Sequence, residues 1–176
     1  MVIFSLNKLF DNTNSTSVSR LKEALLTFKC SKDADVEAFL HINAIQYEIT
    51  HRARTYLCSC VDRFEILGYF AIAIRDLEIT PAVSKNLKKR LAYGFTNMNH
   101  VPAYLIGQVA KCDTCTDKIG KLLIDSSIEY IKKSRDYVGG RVVYLDCKEV
   151  LCAYYEKLGF NYLQDNDDLK QMIQTI

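Results

Sequence analysis

No apolar run in the sequence is long enough to span a bilayer. The N-terminal stretch "MVIFSLNKLFDNTNS" has no basic region, apolar core and small-residue cleavage site in succession, so it does not read as a secretory signal. These two absences lead to the expectation of a cytoplasmic protein with no membrane partner. There is no internal repeat, and with only seven glycines and two prolines no long low-complexity segment either. Histidine is scarce: His41, His51 and His100 are scattered and form no pair at helical spacing, so each reads as a surface or packing residue.

What is present is ordinary for one globular domain. The 176 residues are 49% hydrophobic and 25% charged, with a formal net charge of +2. That length buries a single core, so residues 1–176 read as one domain. A balance so close to neutral does not mark a dedicated nucleic-acid binder, although it permits a local basic face. Seven cysteines at irregular spacing, an odd number, argue against a disulfide framework and for small buried side chains. Cys112 and Cys115 have zinc-knuckle spacing, but no second Cys-x-x-Cys or histidine pair completes a ligand set, and no metal is assigned.

Periodicity then divides the chain. The polar, turn-rich stretch Asp11 to Ser19 predicts a surface loop. From Asp33 to Ile49, Val36, Phe39, Leu40, Ala44, Ile45 and Ile49 recur at helical spacing behind Asp33 as N-cap. Ala53 to Val61 and Phe64 to Ile79 read as two hairpin strands, with Asp62 or Glu65 near the turn. Pro81 to Leu91 predicts a short basic helix ending near Tyr93 and Gly94, and Val101 to Lys111 a buried strand entered at Pro102. A helix opens at Asp117, carries Ile119, Leu122, Leu123, Ser126, Ile128 and Ile131 on one face, and stops at Gly139-Gly140. The strand "RVVYLDC", a helix "KEVLCAYYEKL" closed by Gly159, and the strand "FNYL" follow, and "LKQMIQTI" reads as a last strand with a helix as the alternative. A hairpin followed by alternating strands and helices implies an α/β class: a mixed sheet flanked by helices on both faces, a three-layer sandwich.

The chemistry lies in the second half. A buried strand with a glycine, "AYLIGQVAK", runs through the polar loop "CDTCTDK" into a helix starting near Gly120. Such a strand–loop–helix aims backbone N–H groups and a helix dipole at an anion, phosphate above all. A second strand, "VVYLDC", leads to the helix ending "YYEKLGF".

This arrangement resembles the GNAT family of acyl-CoA-dependent N-acetyltransferases, from about Phe28 to the end and most strongly from Val101 to Phe160. "LIGQVAK" and "AYYEKLGF" are similar to that family's core strand and closing motif. "FKCSKDADVEAFLHINAI" and "ARTYL" with "ILGYFAIAI" resemble the subgroup that includes tRNA-acetylating toxins. The resemblance implies acetyl-CoA as cofactor and direct transfer of its acetyl group to a primary amine, aminoacyl-tRNA in the toxin subgroup. It also implies a protein antitoxin and a homodimer as partners. The cofactor-binding residues it implies are Gln108, Val109, Lys111, Cys115, Lys118, Ile119, Gly120, Lys121 and Tyr155. Val109 would contribute a backbone N–H to the oxyanion, and Tyr155 would act as the acid that protonates the departing thiolate, with Tyr154 as a core residue.

The phosphate loop departs from the family pattern. Aligned on Gly120, Cys115 stands where the family has glutamine or arginine, Lys118 stands at the first glycine, and the loop is about a residue short. Lysine closes the approach that glycine leaves open but brings a cation. That change supports one rival, a degenerate domain that binds without catalysis, and a transferase for small-molecule amines or protein lysines is open as a second. Asp113 and Glu48 are both available as bases for the incoming ammonium, and the run Lys85, Lys88, Lys89, Arg90 as a contact for tRNA phosphates.

Overall fold

The chain opens with a short strand, β1 (Val2–Ser5), and two helices, α1 (Asn7–Asp11) and α2 (Ser15–Leu26). The structure is a computed structural model and describes residues 1–11, 15–60, 65–92, 94 and 98–176. The loop expected over Asp11 to Ser19 is therefore corrected at Ser15–Ser19, which belong to α2. Helix α3 (Ala34–Ala38) starts where expected, with the Asp33 carboxylate accepting from the Asp35 N–H at 3.2 Å. It continues as a π-helical turn over Phe39–Asn43 before α4 (Ala44–Ile49).

Strands β2 (Arg54–Ser59) and β3 (Ile66–Glu78) form the expected antiparallel pair, while the hairpin turn at Asp62 lies outside the described residues. Helix α5 (Lys85–Leu91) starts four residues later than expected, because the Ser84 hydroxyl accepts from the Leu87 N–H and caps it there. The expected end at Tyr93 also lies outside the described residues. There follow β4 (His100–Lys111), α6 (Gly120–Arg135), β5 (Val142–Cys147), a 3₁₀ turn (Glu149–Leu151), α7 (Cys152–Lys157), β6 (Asn161–Asn166) and β7 (Leu169–Thr175). The last segment is a strand, not a helix.

The seven strands are hydrogen-bonded in the order β1-β2-β3-β4-β5-β7-β6. β4 and β5 run parallel, with Tyr104 against Val143 and Leu105 against Tyr144, whereas β5–β7 and β6–β7 are antiparallel. This is the mixed α/β sheet expected from the element order.

Residue contacts gather into two compact units. The first comprises Met1–Ala73 and Gln108–Ser127, the second Ile74–Gly107 and Ile128–Ile176. In the first unit, Tyr69 packs edge-on against Phe28 at 5.4 Å and stacks on Phe39 at 6.2 Å. On the other face of β3, a Cβ added to Gly68 would lie 2.8 Å from the Ala110 carbonyl oxygen and 2.9 Å from Ile119 at the foot of α6. Only glycine allows that approach. In the second unit, Leu91 and Ala92 at the end of α5 pack with Val142, Tyr144, Leu163 and Ile173. Strand alternation turns Cys147 to the opposite face of β5, where its thiol hydrogen-bonds with Cys152 of α7. Each unit thus has helices on both sides of its strands. Among the described residues no helix is long and apolar enough to cross a membrane.

Candidate active site

The first unit holds the strand–loop–helix. β4 ends at Lys111, and the following loop is tied down by the Cys112 N–H to Leu67 O and the Asp113 N–H to Lys29 O, both at 2.8 Å. The Asp113 carboxylate accepts from the Ser31 N–H at 2.8 Å, and the Lys111 ammonium donates to the Cys115 carbonyl at 2.6 Å. The first helical bond of α6 runs from the Leu123 N–H to Ile119 O, so the N–H groups of Gly120, Lys121 and Leu122 precede the ladder. With α6 sixteen residues long, its dipole adds partial positive charge at that end.

Of the residues expected here, Cys115 and Ile119 turn their side chains into the core and present backbone only. Lys118 is exposed, Lys121 forms an exposed pair with Asp125, and Val109 is half-buried. The Gln108 Oε1 is buried without a hydrogen-bond partner among the described residues. Donor N–H groups, an exposed ammonium and an unpaired amide oxygen suit a ligand that carries phosphates and amide N–H groups.

Tyr155 belongs to the second unit, on α7. The Phe160 N–H bonds to Tyr155 O at 3.1 Å and the Gly159 N–H to Glu156 O at 3.0 Å, with Gly159 at φ 90°. That is a Schellman stop, and its usual apolar contact here is the Phe160 ring against the Tyr155 ring at 5.9 Å. The glycine that ends the helix therefore also sets the tyrosine. Burial first, then the neighbouring Cys147 and Tyr154, push the Tyr155 phenol up to about 12, so it keeps its proton at any ordinary pH. Cys147 is likewise pushed up to about 12, by burial and by the adjoining Cys152. Tyr154 is not a core residue: it is 38% exposed, with its ring edge-on to Tyr155 at 5.3 Å.

The two candidate bases differ in their surroundings. Glu48 is buried in a pair with Arg54 at 2.8 Å and also accepts from the Thr55 N–H, and Asp113 is the loop tie already described. In the basic run, Lys88 is only 9% exposed, which leaves Lys85, Lys89 and Arg90 as the exposed cations of α5. His41 donates from Nε2 to the Phe28 carbonyl at 2.9 Å, and His100 pairs with Asp76 at 2.6 Å. Among the described residues no group of three or more metal-binding side chains comes together. One residue that sequence reasoning passed over is Asp146. Its signal was a single carboxylate inside the otherwise apolar strand Val142–Cys147.

No family model and no curated protein matches the sequence. Solved structures do match. A tyrosine-to-phenylalanine mutant of KacT superposes with a TM-score of 0.75 at 17% identity over 99% of this chain and 94% of that one. AtaT complexed with acetyl-methionyl-tRNAfMet gives 0.73 at 17% identity, over 99% and 94%. A tyrosine-to-phenylalanine mutant of the AtaT toxin, bound to the C-terminus of the antitoxin AtaR and acetyl-CoA, gives 0.70 at 15% identity, over 99% and 92%. At this identity the likeness shows the fold, which is the GNAT fold expected from the sequence.

Proposed function

We propose that this chain is an acetyl-CoA-dependent N-acetyltransferase whose acceptor is the primary amine of aminoacyl-tRNA. The observation that carries the proposal is the start of α6, where the N–H groups of Gly120, Lys121 and Leu122 precede the ladder beside the exposed Lys118. Acetyl-CoA supplies the activated acetyl thioester. Lys118 and those three N–H groups would hold its pyrophosphate, and Lys111, bonded to Cys115 O, keeps the loop in shape. Gln108 Oε1 would accept from an amide N–H of the cofactor, and the family resemblance would give the Val109 N–H to the oxyanion and Tyr155 the role of acid towards the sulfur. The complexes of AtaT with acetyl-methionyl-tRNAfMet and with acetyl-CoA support this reading.

Titration calorimetry with acetyl-CoA tests it, with ATP as the control. Saturable micromolar binding is expected. No binding to demonstrably folded protein overturns the proposal in favour of a non-catalytic module, for which Cys115 and Lys118 in the altered loop speak.

For the acceptor, Lys85, Lys89 and Arg90 are positioned on α5 to meet phosphates. Reversing Lys85 and Lys89 to glutamate together should weaken binding of charged tRNA by at least about tenfold and flatten its salt dependence. Filter binding at several salt concentrations measures both, and an unchanged salt slope removes α5 from the RNA contact.

A further inference from the structure

Helices α2 and α4, with the π-helical turn that precedes α4, enclose a cleft of about 310 Å³ inside the first unit. Its lining is aliphatic for the most part. Leu25 is buried there and Ile45 half-buried, while Leu26 and Ile42 are 56% and 73% exposed. Three polar side chains complete it: Lys22 and Gln46, both exposed, and the half-buried His41.

The π-helical turn shapes this cleft. The Ala44 N–H bonds to Phe39 O, five residues back, so the turn carries one residue more than an α-turn. Phe39, Leu40 and Ala44 remain buried in spite of it, whereas Ile42 is turned out into the cleft opposite Leu26 of α2. A single exposed aliphatic residue needs no explanation. Two on facing helices, brought together by a rare helical insertion, mark a surface that something else covers.

Charge says what that is. Lys29, Lys121, Lys133 and Lys170 each pair with a carboxylate. Among the described residues the Lys22 ammonium and the Gln46 side-chain amide have no such partner, and no carboxylate lines the cleft. His41 is fixed by its Nε2 bond to Phe28 O at 2.9 Å, which holds its ring in place as a wall. The site thus offers an apolar body with one cation and one amide beside it, and nothing that repels an anion.

We propose that this cleft binds a small aliphatic carboxylate, its chain against Leu25, Leu26, Ile42 and Ile45 and its two oxygens on Lys22 and Gln46. Ligand sites run from roughly 300 to 1,000 Å³, so this one takes a single short chain. An ammonium and an amide N–H suit the two oxygens of a carboxylate, whereas a phosphate calls for more donors than the cleft has. A cationic ligand would meet Lys22 as a like charge. None of these residues belongs to the candidate cofactor site, so the inference goes beyond the acetyltransferase reading and does not depend on it.

Octanoate is the probe, titrated into the full chain and followed by methyl NMR. Saturable shifts gathered on Leu25, Leu26, Ile42 and Ile45 are expected, with a dissociation constant on the order of 0.1–1 mM for a ligand of this size. At the same concentrations 1-octanol, which has the chain without the charge, should bind at least about fivefold more weakly. Octylamine, with the opposite charge, should leave those methyls where they are.

Two variants at exposed positions keep the fold and change the ligand. Lys22→Gln should weaken octanoate by about five- to tenfold and bring it level with 1-octanol. Ile42→Ser should weaken both by about tenfold, with the melting temperature unchanged. Lys132→Gln, which removes an exposed cation from α6, should change neither. Shifts that do not saturate, shifts scattered over other surfaces, or equal binding of octanoate and 1-octanol by the wild type overturn the proposal. So does a Lys22→Gln protein that binds octanoate as the wild type does. No readout uses acetyl-CoA, so a failure here leaves the acetyltransferase reading where it was, and the reverse holds too.

Discussion

On the acetyltransferase reading, Tyr155→Phe should lower acetyl transfer by about a hundredfold and leave both the fold and acetyl-CoA affinity as they are. The substitution removes one oxygen and keeps the ring, so the edge-on contacts with Tyr154 at 5.3 Å and Phe160 at 5.9 Å survive. The Schellman bonds at Gly159 and Phe160 are backbone and are untouched. The loss should appear in kcat, measured by release of free thiol from acetyl-CoA, with little change in the dissociation constant from calorimetry. Equal turnover of the two proteins would remove the phenol from the reaction.

The size of that effect follows from the phenol's acidity. A group pushed up to about 12 surrenders its proton to an ordinary thiolate, near 8.5, only uphill. Tyr155 therefore acts chiefly as a hydrogen-bond donor to charge gathering on sulfur, which places the loss toward the low end of acid–base effects. The same acidity gives a pH result. Because burial favours the neutral phenol, the donor is lost only as pH rises towards about 12, and Tyr155 should set no alkaline limb in the range where acetyl transfer would be assayed. An alkaline limb near pH 10 that vanishes in Tyr155→Phe would show instead a phenol titrating at its ordinary value.

The parts of this molecule that were legible in its sequence are those written as periodicity. β3 and β4 are long runs of strand formers, and the interval from Asp33 to Ile49 repeats at helical spacing, so their boundaries fall within a few residues of the structure. The strand β1 was not legible. Four residues give too short an alternation, and only pairing with β2, Val2 against Ser59 through Ser5 against Tyr56, makes them a strand. Helix α2 begins with the polar Ser15, Thr16 and Ser17, residues whose local preference is for turns. Helix α6 starts three residues after Asp117, which has the residue type of an N-cap but whose carbonyl instead takes the Ile119 N–H at 3.0 Å.

At the candidate site, residue type was readable and direction was not. Cys115 and Lys118 alternate with the loop's turn, and only coordinates reveal that the thiol is inside and the ammonium outside. Lys88 shows the same limit, since its aliphatic stem packs inward while Lys85 and Lys89 on the same helix remain in solvent. Asp146 was present as one charge in a strand, but Gln164 and Gln171, which give it an orientation, come from two later strands and a pairing register that no local pattern encodes.

Glu48→Ala should be the most destabilising single change among the candidate site residues, about 3 kcal/mol, without touching chemistry. Glu48 is 1% exposed and holds two partners, the Arg54 guanidinium at 2.8 Å and the buried Thr55 N–H. Alanine leaves that N–H without its acceptor at the start of β2 and removes a side chain that is 1% exposed. Arg54, with a side chain 39% exposed, turns to water and recovers part of its solvation, which keeps the loss at the lower end for a broken buried pair. For a chain of this size the melting temperature should drop by roughly 10 °C, read by circular dichroism. Glu48→Gln keeps an acceptor for Thr55 and should lose less than half as much. Acetyl transfer per folded molecule should remain at the wild-type level in both variants, since the carboxylate is spent on Arg54 and the β2 backbone. A variant that folds as well as the wild type yet transfers far more slowly would return Glu48 to the chemistry.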